Sequence, residues 1–145
     1  IRRPGVAATD LPGAAAFNIF NIANGPVLVK MIFGVVTTVI GAGAAIPRLQ
    51  FTPTGGALTP LCAAAATIAL DAVGTIYTYP LGVVVAQLAP TAGLGLAATD
   101  ETGWSNFSIL VPGIIAVTNA VVSTGVIDWY IVYDPADPAA LVTPL

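Results

Sequence analysis

Few side chains in this 145-residue chain could do acid–base, nucleophilic or metal chemistry. There are four Lys or Arg, seven Asp or Glu, one cysteine and no histidine. The missing histidine excludes His-based triads and His metal sites. Asp100-Glu101 could serve as a carboxylate dyad or a cation site. Consecutive strand residues point to opposite faces, however, and Thr99, Thr102 and Gly103 around the pair read as a solvated loop tip. Asp134 and Asp137, separated by Pro135-Ala136, could ligate calcium. Asp-Pro favours turn initiation, which makes both carboxylates turn caps. Gly93-Leu94-Gly95 is too short for a phosphate loop and no helix start follows it. Cys62 lies in Leu61-Cys-Ala-Ala-Ala-Ala66, where nothing would lower a thiol pKa, so it reads as a small core residue. Trp104 and Trp129 could stack a sugar or a base, but Trp129 sits in an alternating strand and reads as core. No catalytic, metal-binding or cofactor-binding residue is assigned, and the chain is not expected to be an enzyme or to take a small-molecule substrate.

The remaining charges carry a sharper question. Lys30, Arg48 and Asp128 stand inside strongly apolar segments. An ionised group buried there must be paired or must shift its pKa. These three are the candidate polar contacts between subunits. Asp128 is expected to face solvent or to pair with a basic residue across strands or subunits.

Charged residues make up only 8% of the chain, against about a quarter in a typical soluble domain. Met31–Pro47, Leu49–Leu70, Ala72–Thr99 and Thr102–Ile127 carry none. A net charge of −3, with Arg2-Arg3 as the only basic pair, excludes nucleic acid as a main partner. One cysteine excludes an intrachain disulfide framework. Ile1–Gly13 does not read as a signal peptide, because Asp10 and two prolines interrupt any apolar core. Such a chain either enters a membrane or is covered by other protein. The best spanning window, Met31–Ile46, is short, broken by Gly34, Gly41 and Gly43, and contains the β-branched run Val35–Ile40. Basic flanks are missing and too few polar residues exist to line a barrel lumen, so no membrane is expected.

The punctuation fits β-structure. Phe17–Ile22 reads as a strand and Asn24-Gly25 as a hairpin turn. Val27–Ile40 is a long β-branched segment in which Gly34 is expected to mark a bulge or bend. Ala45–Phe51, Leu61–Leu70, Thr75–Tyr79, Val83–Leu88, Phe107–Val111 and Ile114–Val122 are further strand candidates, and Ala89–Gly103 reads as irregular. In the clearest strand Ile127, Trp129, Ile131 and Tyr133 share one face, and Asp128, Tyr130 and Val132 the other. Ala139–Leu145 reads as a tail. The expected fold is all-β, a single-domain β-sandwich or jelly-roll-like barrel over residues 17–145 with an N-terminal arm over residues 1–16. Alternation fails in Val35–Ile40 and Val83–Val85, so both sheet faces are expected to be covered, which implies a homo-oligomer.

The motifs Phe17-Asn-Ile, Asn24-Gly-Pro-Val-Leu-Val29 and Ile32-Phe-Gly-Val-Val-Thr-Thr-Val-Ile40 resemble those of small virion proteins of tailed bacteriophages. So do Leu61-Cys62, Asp71-Ala-Val-Gly-Thr-Ile-Tyr77 and Thr124-Gly-Val-Ile-Asp-Trp-Tyr-Ile-Val-Tyr133 before an Asp/Pro-rich apolar tail. The resemblance implies a structural virion protein, a capsid decoration (cement) protein on the outer surface of the shell, bound to the major capsid protein as a homotrimer. A head-fibre or tail component with a receptor- or glycan-binding role is the alternative it leaves open. No site residues transfer. Arg2, Arg3 and Pro4 form the candidate capsid-contact arm, since an unpatterned terminus orders only when docked.

Overall fold

β-Branched and aromatic runs form strands here wherever Gly, Pro or Asn interrupt them at short intervals. The computed structural model describes residues 1–5, 11, 13, 15–62, 64–78, 89–91 and 108–145. In chain order the strands are β1 (Arg2–Arg3), β2 (Ala16–Ala23), β3 (Val27–Thr38), β4 (Arg48–Pro53), β5 (Thr59–Pro60) and β6 (Ile76–Thr78). They continue with β7 (Ala89–Thr91), β8 (Ser108–Leu110), β9 (Gly113–Thr118), β10 (Val126–Pro135) and β11 (Leu141–Pro144). No helix among the described residues is long and apolar enough to cross a membrane.

The strands form two antiparallel sheets that do not close into a barrel. The fold is therefore the β-sandwich, and the barrel alternative is set aside. Sheet A runs β1-β10-β3-β6-β7, with β8 sharing one flank of β3 with β6. Sheet B runs β11-β2-β9-β4-β5. Most connections change sheet. The Asn24-Gly25 turn has the positive φ values its residues favour, 63° and 151°. It joins no hairpin, because β2 belongs to sheet B and β3 to sheet A. The local turn chemistry holds, and tertiary pairing sends the next strand into the opposite layer.

Other expectations need correction. Leu61–Leu70 is not a strand. It lies beside the 41–49 segment through scattered backbone bonds, Leu61 N–H to Leu49 O, Ala65 to Pro47, Ile68 to Ala45 and Leu70 to Gly41. Its apolar side chains Cys62, Ala65 and Ile68 enter the core at intervals of three, which a two-residue period cannot supply. Strand β4 starts at Arg48 rather than Ala45, and β9 stops at Thr118. The expected tail contains β11, paired with β2. That partner is more than a hundred residues away, so no local pattern announces it. Ala89–Thr91 is a strand inside the segment read as irregular. The expected Val83–Leu88 strand lies outside the described residues.

The core sits between the sheets. From sheet A it receives Val27, Val29, Ile32, Val36, Tyr77, Ile127, Trp129 and Ile131, and from sheet B Phe20, Ile22, Leu49, Ile115 and Val117. Tyr77 also carries a titration. Burial, then a 2.7 Å hydrogen bond donated to the Asp71 carboxylate, push its phenol above the ordinary range. The unfolded chain loses this proton near pH 10 while the folded chain keeps it. Stability should therefore fall above about pH 10, by about 1.4 kcal/mol per pH unit from this group. Urea titrations from pH 9 to 11 should show that slope, and Tyr77→Phe should remove it.

Candidate interaction surfaces

The N-terminal residues close one edge of the sandwich. Arg2 and Arg3 pair with Tyr130 and Trp129 as β1, and the backbone groups of Ile1 and Ile131 exchange hydrogen bonds. Asp128, on the outward side of β10, is only 5% exposed. Its Oδ2 accepts from Arg2 Nη2 at 2.7 Å and Nε at 3.1 Å, and its Oδ1 from the Gly5 N–H at 2.6 Å. These contacts, first the hydrogen bond and then the charge, hold the Arg2 guanidinium above its already high pKa. Arg3 is 3% exposed; its guanidinium lies 4.1 Å from the Phe17 ring centre and donates to Leu145 O at 3.1 Å. Phe17 and Leu145 are on the sheet B side, so Arg3 ties the two layers together. Residues 1–5 of the expected arm, Pro4 included, thus lie on the chain's own sandwich.

The second feature is the outward face of sheet A. Directly opposed residues share a face, and the pairs Phe33–Tyr130, Met31–Val132 and Leu28–Asp134 point away from the core. Phe33 and Tyr130 stack with ring centres 4.7 Å apart and planes 4° apart. Val35, beside Phe33 on the same face, is half-buried. Ile109 on β8 and Val132 are 61% and 46% exposed. The failed alternation in β3 has two causes. One is this apolar face. The other, within Val35–Ile40, is a register shift that leaves Thr37 unopposed between Val36 and Thr38. A second shift, earlier in β3, leaves Lys30 unopposed between Val29 and Met31 and moves the inward set from Val27 and Val29 to Ile32, Gly34 and Val36. The bulge turns Lys30 to solvent, where its Nζ meets Asp134 at 2.6 Å. Gly34 itself carries no bulge. It makes room for Trp129, whose ring carbons stand 3.1 and 3.2 Å from where a Cβ would be.

The third feature is one end of the sandwich. Loops 39–45, 68–75 and 119–125 are joined through Gly41, which donates to Thr124 O and accepts from Leu70 N–H, and through Ile40 N–H to Asp71 O. They present Val39, Leu70, Val73, Val121 and Val122 to solvent. Leu70 is 68% exposed and has φ 65°, a left-handed conformation costly for a leucine. Strain of this kind is retained where a site needs it.

The other singled-out residues are accounted for locally. Arg48 faces outward on sheet B beside Thr118, over a shallow recess lined by Ile46, Ala64 and Asn119. The Asn119 amide accepts from Ile46 N–H at 2.7 Å and donates to Val121 O. Cys62 is buried in the core, and Asp137 accepts from Ala139 N–H as a turn cap. Among the described residues no three Cys, Asp or Glu gather as metal ligands. Gly93, Gly95, Asp100, Glu101 and Trp104 lie outside the described residues. Sequence reasoning expected Asp128 to face solvent or to pair with a basic residue across strands or subunits, and Arg2 of the neighbouring strand β1 is such a partner. It did not single out Arg2 for the role, and it missed the loop end. Each depends on contacts between distant segments, although the Leu70 strain has a local hint in the turn signal Asp71–Gly74.

Comparison with protein families, curated proteins and solved structures gives no match.

Proposed function

We propose that this chain is a non-enzymatic structural protein of a virion, a capsid decoration protein that binds the major capsid protein on the outer shell and clamps neighbouring subunits as an oligomer. One observation carries this reading: a small sandwich presents two separate apolar surfaces, the sheet A face and the loop end. A single patch lets a protein pair and stop. Two patches let it join its own kind and a third party. Exposed apolar surface on this scale is a liability unless it is covered. The sequence resemblance points the same way. The mechanism is mass action: a ligand that binds only the assembled shell stabilises it by about 2.7 kcal/mol at a hundred times its Kd.

The test is an image of the particle that carries this protein. Density between capsomers on the outer surface supports the proposal. Density only at fibre or tail positions, or no association, overturns it, and the former favours the fibre or tail reading. Leu70→Gly separates docking from folding. It relieves about 1–2 kcal/mol of left-handed strain, partly offset by about 0.5–1 kcal/mol of glycine chain entropy. Thermal stability should hold or rise slightly, while shell affinity drops about tenfold for one lost leucine contact. Unchanged shell binding would count against the loop end as the docking surface.

A further inference from the structure

We propose that the recess beside Arg48, on the outer face of sheet B, anchors a carboxylate flanked by a small aliphatic group on a partner protein. Arg48 is the one charged residue in the strands of sheet B. The chain's other three basic side chains are engaged: Arg2 with Asp128, Lys30 with Asp134, and Arg3 over Phe17 and on Leu145 O. Arg48 is half-buried, and among the described residues its guanidinium has neither an ion pair nor a hydrogen bond. A guanidinium carries five N–H donors in a rigid fork. Holding it partly out of water without an acceptor costs free energy that an anion returns.

The recess fixes the form of that anion. Its volume is about 350 Å³, lined by Ile46, Arg48, Ala64, Thr118, Asn119 and Ala120. The Asn119 amide is spent on Ile46 N–H and Val121 O, and Thr118 Oγ1 turns back to Arg48 O. The guanidinium is thus the one uncommitted side-chain donor among these residues. One planar fork matches one carboxylate in a bidentate pair. A phosphate dianion would keep a charge uncompensated against apolar walls. Those walls, Ile46, Ala64 and Ala120, take the aliphatic group beside the carboxylate. The recess is also shallow. A free acid would keep much of its surface in water there, whereas sites for free ligands bury about 70–90% of them. A carboxylate carried by a protein brings its surrounding surface onto sheet B and gains the rest of its affinity from that contact. The anchor lies apart from the sheet A face and the loop end, and it stands or falls independently of the capsid reading.

Nuclear magnetic resonance of the nitrogen-15-labelled protein, titrated with isovalerate, tests the site. The Arg48 Nε–H and the Ala64 and Ala120 amides should shift saturably with a millimolar Kd, and isovaleramide should leave them unmoved. Arg48→Lys keeps the charge but loses the fork, and should weaken binding about threefold or more. Arg48→Gln should abolish it, and Lys30→Gln should leave it unchanged. Circular dichroism of each variant should keep the wild-type β-type spectrum. An absence of saturable shifts overturns the proposal. So does equal binding of isovaleramide, a comparison that needs no variant, and so does binding that survives Arg48→Gln or is unaltered by Arg48→Lys. Tighter binding of inorganic phosphate than of isovalerate overturns the carboxylate. A micromolar Kd for isovalerate overturns the protein source and makes the recess a small-molecule site.

Discussion

Gly34→Ala should destabilise the sandwich by about 1–3 kcal/mol, the usual cost of overpacking a filled core. Gly34→Val should leave little folded protein at ordinary temperature. Gly34 lies on β3 directly between Trp129 of β10 and Tyr77 of β6. Both of these aromatic residues are fully buried, and a Cβ on Gly34 would meet Ile127 Cγ2 at 2.8 Å as well as the indole ring. Neither neighbour can yield easily. Ile127 is β-branched and enclosed, and Trp129 is the largest fully buried side chain among the described residues. The Trp129 Nε1–H finds no acceptor among the described residues. Its burial therefore already carries a desolvation cost of about 1–3 kcal/mol, and the ring is held by packing alone. Thermal melts of both variants are the check. A Gly34→Ala protein that melts with the wild type would show that the sheet has slack at this point.

The second large effect is expected at Asp128. Asp128→Ala removes an ionised acceptor serving three hydrogen bonds, all from residues 2–5. Hydrogen bonds to charged groups contribute about 1.5–3 kcal/mol where they are shielded from water. Much of the Arg2 side chain is solvated, so the total loss should be about 2–3 kcal/mol rather than the sum of three such bonds. The more specific consequence is local. Once β1 detaches, the Ile131 amide, which donates to Ile1 O, loses its partner, and buried Arg3 leaves its place over Phe17. Hydrogen exchange at Ile131 should accelerate by orders of magnitude more than at core amides of β9. Asp128→Asn, which keeps an oxygen for the Gly5 N–H, should show an intermediate effect. Continued protection of Ile131 in Asp128→Ala would mean that backbone pairing alone holds the strand.

Together these two sites show what the sequence makes legible. The alternation in Ile127–Tyr133 correctly separates the Trp129 face from the Tyr130 face, because a strand's period of two is a property of the backbone itself. Gly34 obeys the same alternation, but its role is not legible from it. A glycine in a strand signals either a bulge or a close approach, and only the partner opposite distinguishes them. The register shifts lie instead at Lys30, where a charged residue interrupts an apolar run, and at Thr37. Asp128 sits on the outward face as the pattern requires. Its burial comes from residues that precede it by more than a hundred positions. The candidate surfaces follow the same division: scarce charge announces that apolar side chains will reach the surface, and pairing decides where.

Composition and local pattern thus determine the class of this protein. Sparse charge, β-branched runs and Gly/Pro punctuation require sheets, and they leave more apolar surface than one core of this size can hold. Those are additive properties of neighbouring residues. The tertiary structure alone decides that Asn24-Gly25 joins two layers rather than two paired strands, that Leu61–Leu70 lines the core without being a strand, and that β11 completes sheet B. It also decides that Phe33 of β3 is the residue stacked against Tyr130 on the outward face. Each of these depends on which distant segment supplies the hydrogen-bonding edge. Strand edges are chemically alike along the whole chain, so register is set by the joint packing of both layers and by no single stretch of sequence.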